Sequence, residues 1–151
     1  MKYWLMKSEP DAFSIDDLKE KKAKGEHWDG VRNYQARNFM RDNMKLGDKV
    51  LFYHSSCKVP GVVGIASVIK ESHPDHTSWD PKSNYYDPKS TPEDPRWFMV
   101  DIKFEKKFSR TISLKELKEH IELKDLKLLQ KGCRLSIMQI AKKEFEFIKS
   151  L

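Results

Sequence analysis

The chain has 151 residues, which is the usual size of one domain and is enough to bury a hydrophobic core. Its 29 basic and 23 acidic side chains leave a net charge of +6, which favours a polyanionic partner, although a general solvated Lys/Glu surface explains the same balance. The two cysteines, Cys57 and Cys133, exclude a disulfide framework and a CxxC zinc site, and no apolar run is long enough to span a bilayer. We therefore expect a single domain over residues 1–151 in the cytoplasm, or in the nucleus of a eukaryote.

The first predicted element is a strand over Tyr3–Ser8 whose alternating side chains are largely apolar on both faces. A strand of this kind lies in a barrel or in a covered sheet. Pro10 ends it. Ser14, with Asp17 three residues later, predicts a capping box at the start of a helix that ends at Gly25.

The stretch Trp28–Arg37, with the sequence WDGVRNYQAR, places aromatic, cationic and amide side chains close together. Gly30 allows a tight turn and Asn33 is a good N-cap, so a loop is predicted to enter a helix here. The mixture suits a planar, polar ligand, because a core segment would not bury so many unpaired charges and amides. A capped helix with a core tryptophan is the alternative that the spacing alone leaves open.

Two strands are predicted next, over Lys49–Ser55 and Val62–Glu71, and the short turn between them favours an antiparallel pair. By alternation, Tyr53 and Ser55 share one face of the first strand, whereas His54 points to the other face. One set of these side chains can therefore line a pocket while the other joins the core.

The segment from Ser72 to Arg96 contains five of the seven prolines together with Trp79, Tyr85 and Tyr86. Its repeated Asp-Pro steps suit successive turns. Because disordered linkers are poor in large aromatic residues, the segment is predicted to be an ordered excursion held against the domain.

The remainder of the chain alternates between strands and short helices. Trp97–Phe108 predicts a half-exposed strand, and Ser113 with Glu116 predicts a second capping box and a short helix. After another short helix, a strand is predicted over Arg134–Ile140 and a closing helix over Lys142–Leu151. The elements together predict an α+β fold with a mostly antiparallel, five- to six-stranded, partly open β-barrel and short flanking helices.

Long motifs occur in order along nearly the whole chain: KYWLMKSEP, WDGVRNYQARN, GDKVLFYHS, VGIASV, HPDHTSWDPKSNYYDPKS, PRWFMVDIKF and RLSI. They resemble the EVE domain family of the PUA-like superfamily. The resemblance implies a PUA-like β-barrel and a module that binds DNA or RNA and holds a modified base, methylated or hydroxymethylated. It implies no shared catalytic constellation, and we expect no cofactor, no metal and a monomer that acts through an effector protein.

The resemblance places the pocket at the SEP, WDGVRN, FYHS and RLS segments. Ser8 or Ser55 is expected to bind a modification that carries a hydroxyl group. The implied ligand-binding residues are Ser8, Trp28, Gly30, Val31, Arg32, Asn33, Tyr53, His54, Ser55, Leu135 and Ser136.

Physical roles can be predicted for some of these side chains. Trp28 is expected to form an aromatic wall, because stacking on such a wall contributes about 1–3 kcal/mol per base. Asn33 is expected to read the base edge as both donor and acceptor. Arg32, Arg37 and Arg41 are predicted to hold backbone phosphates, since the last two lie one helical turn apart.

Two other functions stay open at this point. Related barrels of the ASCH type include hydrolases of nucleic acids or nucleosides, for which Asp29, His54 and Lys7 are candidate groups, although their spacing fixes neither a general base nor a nucleophile. The third hypothesis is a small-nucleotide sensor, in which the pocket binds a free metabolite and the basic surface is incidental.

Overall fold

A six-stranded mixed sheet organises the computed structural model, which describes residues 1–151. The spatial order of the strands is β2-β5-β4-β3-β1-β6, and only the β1–β3 pair is parallel. The sheet is not closed, and short helices flank it, so the α+β class with mostly antiparallel strands is confirmed. The strands are β1 (Tyr3–Ser8), β2 (Glu26–His27), β3 (Lys49–His54), β4 (Gly61–Pro74), β5 (Phe98–Ser113) and β6 (Ile137–Ile140).

Four α-helices flank the sheet, and none of them has the length and apolar composition needed to cross a bilayer. A π-helical turn over Phe39–Asn43 continues the second helix, and the Met44 amide closes that turn by donating to the Phe39 carbonyl at 2.9 Å. The helices are α1 (Ile15–Glu20), α2 (Tyr34–Asn38), α3 (Leu114–Lys118) and α4 (Lys142–Ser150). The 3-10 turns are Lys22–Lys24, His76–Trp79, Ile121–Leu123 and Lys127–Leu129.

Both predicted capping sites start a helix, but only one forms a complete box. At α1, the Ser14 hydroxyl accepts from the Asp17 amide at 3.1 Å and the Ser14 amide donates to the Asp17 carboxylate at 2.8 Å. At α3, Ser113 accepts from the Glu116 amide, but the Glu116 carboxylate is bound by Arg110 instead of the Ser113 amide. The second capping box was therefore wrong in its reciprocal half, because an arginine on the adjacent strand competes for the carboxylate.

Side chains from the central strands form hydrophobic cores on both faces of the sheet, as predicted for β1. Along β1, Trp4 and Met6 enter one core and Leu5 enters the other. Along β3, Phe52 joins the first core and Tyr53 joins the second. The core that contains Phe52 is called the Trp28 face below, and the core that contains Tyr53 is called the opposite face.

Several element boundaries differ from the sequence-based prediction. The two-residue strand β2 was not predicted, and it forms because its backbone pairs with β5 and the Trp28 amide then donates to the Val100 carbonyl at 2.8 Å. Strands β4 and β5 run further than predicted, since bulges let their polar ends stay paired. Strand β6 begins at Ile137 and not at Arg134. Before Ile137, the backbone makes one more hydrogen bond to β1, from the Lys7 amide to the Ser136 carbonyl.

A buried carboxylate holds the 72–96 excursion to the rest of the domain, in agreement with the predicted ordered excursion. Asp75 has no exposed surface and accepts from the Gly30 amide at 2.9 Å, from Arg32 Nη1 at 3.1 Å and from the Thr77 hydroxyl at 2.6 Å. Burial by itself raises the pKa of Asp75, but the hydrogen bonds from Thr77, Gly30 and Arg32 outweigh it and hold the pKa below its usual value.

A second group of hydrogen bonds closes the excursion on itself. The Ser78 hydroxyl donates to the Asp75 carbonyl at 2.8 Å and lies 2.9 Å from the Ser90 hydroxyl. Further along, the Trp97 indole donates to Asp87 at 2.7 Å. These bonds order a proline-rich segment that has little regular secondary structure of its own.

Replacing Asp75 by asparagine is expected to destabilise the fold by about 3 kcal/mol, because an amide cannot satisfy the same donors and leaves Arg32 without its counter-charge. Urea unfolding at neutral pH measures this difference. Asp80→Asn removes the same charge from an exposed position in the same segment, and it is expected to stay within about 0.5 kcal/mol of the wild type.

Acid provides a second test of the same contact. The folded-state pKa of Asp75 is lowered, so its contribution is fully present above the unfolded-state pKa of about 3.9 and is lost as the pH falls towards the folded-state pKa. The difference between wild type and Asp75→Asn is therefore expected to shrink when unfolding is measured near pH 3. A difference that is equally large in acid would contradict the assigned role of the carboxylate.

Candidate functional site

The loop between β2 and α2 is held in a fixed shape by the excursion. Gly30 has a φ of +78°, and a Cβ atom at this position would lie 2.7 Å from Cζ of Tyr85. A larger residue would therefore strain the backbone and would force the Tyr85 ring to move. Val31 packs into the Trp28 face, so the loop is anchored on one side by the core and on the other by Asp75.

Trp28 is largely buried but keeps one polar atom available. Its side chain packs edge-on against Phe52, with ring centroids 5.5 Å apart, and the residue is 8% exposed. The indole N–H of Trp28 has no hydrogen-bond partner in the protein, unlike those of Trp4 and Trp97, which donate to Asp48 and Asp87. Since no buried side-chain nitrogen or oxygen lacks a partner, the Trp28 N–H reaches solvent. Trp28 is thus a core residue whose indole N–H is not fully sealed from solvent.

The parallel pairing of β1 and β3 brings several predicted site residues to one edge of the sheet. Ser8 and His54 are register partners at the ends of these strands, and the Ser55 amide donates to the Ser8 carbonyl at 3.0 Å. Ser136 lies directly before β6, and its carbonyl accepts from the Lys7 amide at 2.8 Å. The Ser8 hydroxyl donates to the Phe13 carbonyl at 2.6 Å, so towards a ligand it can act only as an acceptor.

His54 is fixed in one tautomer by a backbone contact. Its Nε2 accepts from the Ile15 amide at 3.1 Å, and because an amide can only donate, the proton of the neutral ring lies on Nδ1. Burial lowers the pKa of His54, which keeps the ring neutral near pH 7. The ring packs edge-on against Phe52 at 5.6 Å, as Trp28 does from its own position. His54 and Trp28 therefore flank the same phenylalanine and each carry an N–H donor.

Other predicted site residues lie on the opposite face of the sheet. Tyr53 and Leu135 are buried in the second core, and Lys7 lies over the Tyr53 ring at 5.9 Å. Burial, with a smaller contribution from Cys57, raises the pKa of Tyr53 to about 12, so its hydroxyl stays protonated. The structure thus separates Tyr53 and Leu135 from Trp28, Val31 and His54 by the thickness of the sheet.

Asn33 is the N-cap of α2, as predicted, and this role limits what it offers a ligand. Its side-chain oxygen accepts from the Ala36 amide at 3.0 Å, which leaves the amide NH₂ free to donate. Asn33 is exposed and, with Leu135, lines a cleft of about 370 Å³ between the start of α2 and the loop 127–135. No other predicted ligand-binding residue lines this cleft.

Arg32 is engaged inside the protein. Its guanidinium donates to Asp75, to the Val31 carbonyl and, through Nη2 at 2.6 Å, to the Tyr85 carbonyl. It also lies 5.3 Å from the centre of the Trp97 ring. These contacts tie the loop to the excursion, and a direct contact between Arg32 and a ligand stays a prediction.

A stack of exposed Tyr34 on buried Trp97, beside Arg37, was not predicted from the sequence. Tyr34 is 51% exposed and stacks on Trp97, with ring centroids 4.8 Å apart and planes 17° apart. Arg37 lies 4.6 Å from the centre of the Tyr34 ring and donates to the Arg96 carbonyl at 3.0 Å. The sequence signal was weak because Tyr34 and Trp97 are far apart along the chain and meet only through the folded excursion.

The remaining charged candidates have different surroundings. Arg41 forms an ion pair with Asp42 at 2.9 Å on the surface, whereas Arg37 has no acidic partner. Asp29 is half-buried and makes no hydrogen bond, and burial followed by the nearby Asp75 charge raises its pKa. Lys7 and His54 project to opposite faces of the sheet, so the three groups considered for hydrolysis are not assembled around one point.

Comparison with known proteins identifies related chains over nearly the whole length. The mouse thymocyte nuclear protein 1 is 46% identical over 166 aligned residues, which cover 99% of this chain and 73% of the mouse protein. A protein of known structure from Pseudomonas syringae is 48% identical, with a TM-score of 0.92 over 98% of this chain and 97% of that chain.

A structure of the human THYN1 protein in complex with 5-methylcytosine-containing DNA is also similar. It has a TM-score of 0.93 and 43% identity, and the match covers 99% of this chain and 96% of that chain. The family model described as EVE domain matches residues 2–151. On this evidence, the chain belongs to the EVE domain family.

Proposed function

We propose that this protein is a DNA-binding reader that holds a modified base, of the type of 5-methylcytosine, at the site flanked by Trp28 and His54. Residues 1–151 act together as one binding module in this proposal. The observation that carries it is the complex of the human relative with 5-methylcytosine-containing DNA, at 43% identity and a TM-score of 0.93.

The chemistry of the site supports a flipped base as the ligand. Removing a base from the stack costs a few kcal/mol, which directional hydrogen bonds and apolar contacts must offset. Trp28 and His54 each offer one N–H donor, and Asn33 offers the NH₂ of its side chain. Ser8 and Asp29 offer acceptors, and the carboxylate of Asp29 is able to accept from the exocyclic amine of cytosine.

The two faces of the sheet divide the predicted residues into two roles. Trp28, Val31 and His54 share the face on which a base is proposed to bind. Tyr53 and Leu135 pack behind the strand ends and support them. Gly30 and Arg32 set the shape of the loop, and the serines at the strand ends are close enough in register to complete the rim.

The site supports binding without catalysis better than it supports hydrolysis. A general base and a nucleophile must lie within hydrogen-bond reach of each other or of one substrate atom. Lys7 and His54 lie on opposite faces of the sheet, and His54 already accepts a hydrogen bond from Ile15. The test is to incubate the protein with modified nucleosides or DNA and to separate the products by chromatography. Any turnover would contradict this proposal.

Replacing Trp28 by phenylalanine is expected to reduce the preference for a methylated duplex over the plain duplex. The substitution keeps an aromatic ring beside Phe52 but removes the N–H donor and part of the apolar wall. A methyl-sized contact is worth about 1–3 kcal/mol, roughly 10- to 200-fold, so the affinity ratio should fall by about that factor. Fluorescence anisotropy with matched duplexes at fixed salt measures both affinities.

A matched control uses a tryptophan outside the proposed site. Trp79→Phe changes the same side chain within the excursion, where Trp79 is partly exposed, and it should leave the affinity ratio unchanged. If Trp28→Phe leaves the ratio of the wild type intact while the protein remains folded, Trp28 does not recognise the modified base.

Arg37→Gln is expected to weaken the binding of methylated and plain duplexes by the same factor. The Arg37 guanidinium donates to the Asn38 side-chain oxygen and to the Arg96 carbonyl but has no acidic partner, so its charge is not neutralised within the protein and can attract a backbone phosphate. Arg41→Gln should have a smaller effect, because the Asp42 carboxylate neutralises Arg41 in the unbound protein. Anisotropy titrations of both variants check this, and a loss confined to the methylated duplex would assign Arg37 to base recognition instead.

A further inference from the structure

The cleft between α2 and the loop 127–135 has an unusual charge composition. Its volume is about 370 Å³, and no acidic side chain lines it. The cationic and amide side chains that line it are Lys127, Lys131, Arg134, Asn33, Gln35 and Gln130. A concave surface with donors and cations but no carboxylate favours an anion as its ligand.

The cations of this cleft differ from the arginines predicted to hold phosphates. Lys127, Lys131 and Arg134 are exposed and form no ion pair. In contrast, Arg32 is paired with buried Asp75 and Arg41 with Asp42. The positive charge of the cleft is therefore not neutralised within the protein, whereas most of the charge on the predicted arginines is.

A second cleft on the molecule provides a comparison. It has a volume of about 310 Å³ and is lined by Lys106, Lys107, Arg110 and Lys149 among others. Two of these cations are paired, Lys107 with Asp16 at 2.8 Å and Arg110 with Glu116 at 2.6 Å. All three cations of the first cleft are thus unpaired, whereas two of the four cations of the second cleft are neutralised by carboxylates.

We propose that the cleft lined by Lys127, Lys131 and Arg134 binds the backbone phosphates of the DNA strand whose base enters the site at Trp28, an inference that rests on the proposed base-binding function. The cleft and the loop that carries Trp28 share one residue, because Asn33 ends that loop as the N-cap of α2 and also lines the cleft. No aromatic side chain lines the cleft, so it offers no stacking surface for a base. Its amides are suited to phosphate and sugar oxygens next to the cations.

Salt dependence separates phosphate contacts from base contacts. Each cation that neutralises a phosphate of B-DNA adds about 0.9 to the slope of log affinity against log salt concentration. The triple variant Lys127→Gln/Lys131→Gln/Arg134→Gln is therefore expected to lower this slope by about 2 to 3, and to weaken methylated and plain duplexes by the same factor. Anisotropy titrations between about 50 and 200 mM NaCl measure the slope.

The control variant is Lys106→Gln/Lys149→Gln, which removes two cations from the second cleft that have no acidic partner. It is expected to leave the slope unchanged. Circular dichroism melts of all variants confirm that each is folded, and because the substituted side chains of the first cleft are exposed, folding should be retained.

The outcomes distinguish this inference from the proposed function. An unchanged slope in the triple variant, with the wild type still preferring the methylated duplex, overturns the phosphate cleft and leaves base recognition intact. A change in the preference itself also overturns it, because the cleft would then contact the base. If the slope is reduced in the triple variant but the wild type shows no preference for the methylated duplex, the phosphate contacts are supported and base recognition is overturned.

Discussion

The buried carboxylate of Asp75 is the contact on which the geometry of the candidate site depends. It binds the Gly30 amide and the Arg32 guanidinium from one segment and the Thr77 hydroxyl from another. Removing a carboxylate from water is costly, and only a nearly complete set of donors offsets that cost. Asp75 has such a set, so the loop that carries Trp28 cannot move away from the excursion without exposing an unsatisfied charge. The loop is therefore shaped before any ligand arrives, which lowers the entropic cost of binding.

The parallel pairing of β1 and β3 explains why distant segments meet at this loop. In a parallel pair the carboxyl ends lie at the same edge of the sheet, so Ser8 and His54 become neighbours although they are far apart in the chain. Phe52 lies two residues before His54 on β3, so both side chains are on the same face of the sheet. The Phe52 ring contacts Trp28 on that face. The fold thus brings together sequence motifs that are separate in the chain, so that Trp28 and His54 both contact Phe52.

Local sequence patterns predicted most of the helices and strands, but not which side chains from different elements lie on the same face of the sheet. Caps at Ser14 and Asn33 were identified because each is a short-range contact between a side chain and an amide three residues away. The strand β2 was missed since two residues show no periodicity, and its pairing depends on a partner far along the chain. The motifs likewise named Trp28 and Tyr53 together, but a motif carries no information on which side of a sheet a side chain lies.

The aromatic stack of Tyr34 on Trp97 is a second contact that local sequence patterns could not predict. Its two rings come from α2 and from the residue before β5, and they meet because Asp87 fixes the Trp97 indole. Periodicity within α2 explains only that Tyr34 is exposed, not what it stacks on. Long-range hydrogen bonds, here those of the excursion, decide such contacts.

The hydrogen-bonding state of the site argues for a ligand edge rich in acceptors. The oxygen of Asn33 and Nε2 of His54 both accept from backbone amides, so each side chain is left with N–H groups that have no hydrogen-bond partner in the protein. The Trp28 indole can only donate. Within the loop, the half-buried Asp29 carboxylate is an acceptor without a partner, and its raised pKa reflects the cost of that state. A cytosine ring presents carbonyl and ring-nitrogen acceptors beside a single amine donor, so it matches several donors next to one carboxylate better than an apolar ligand would.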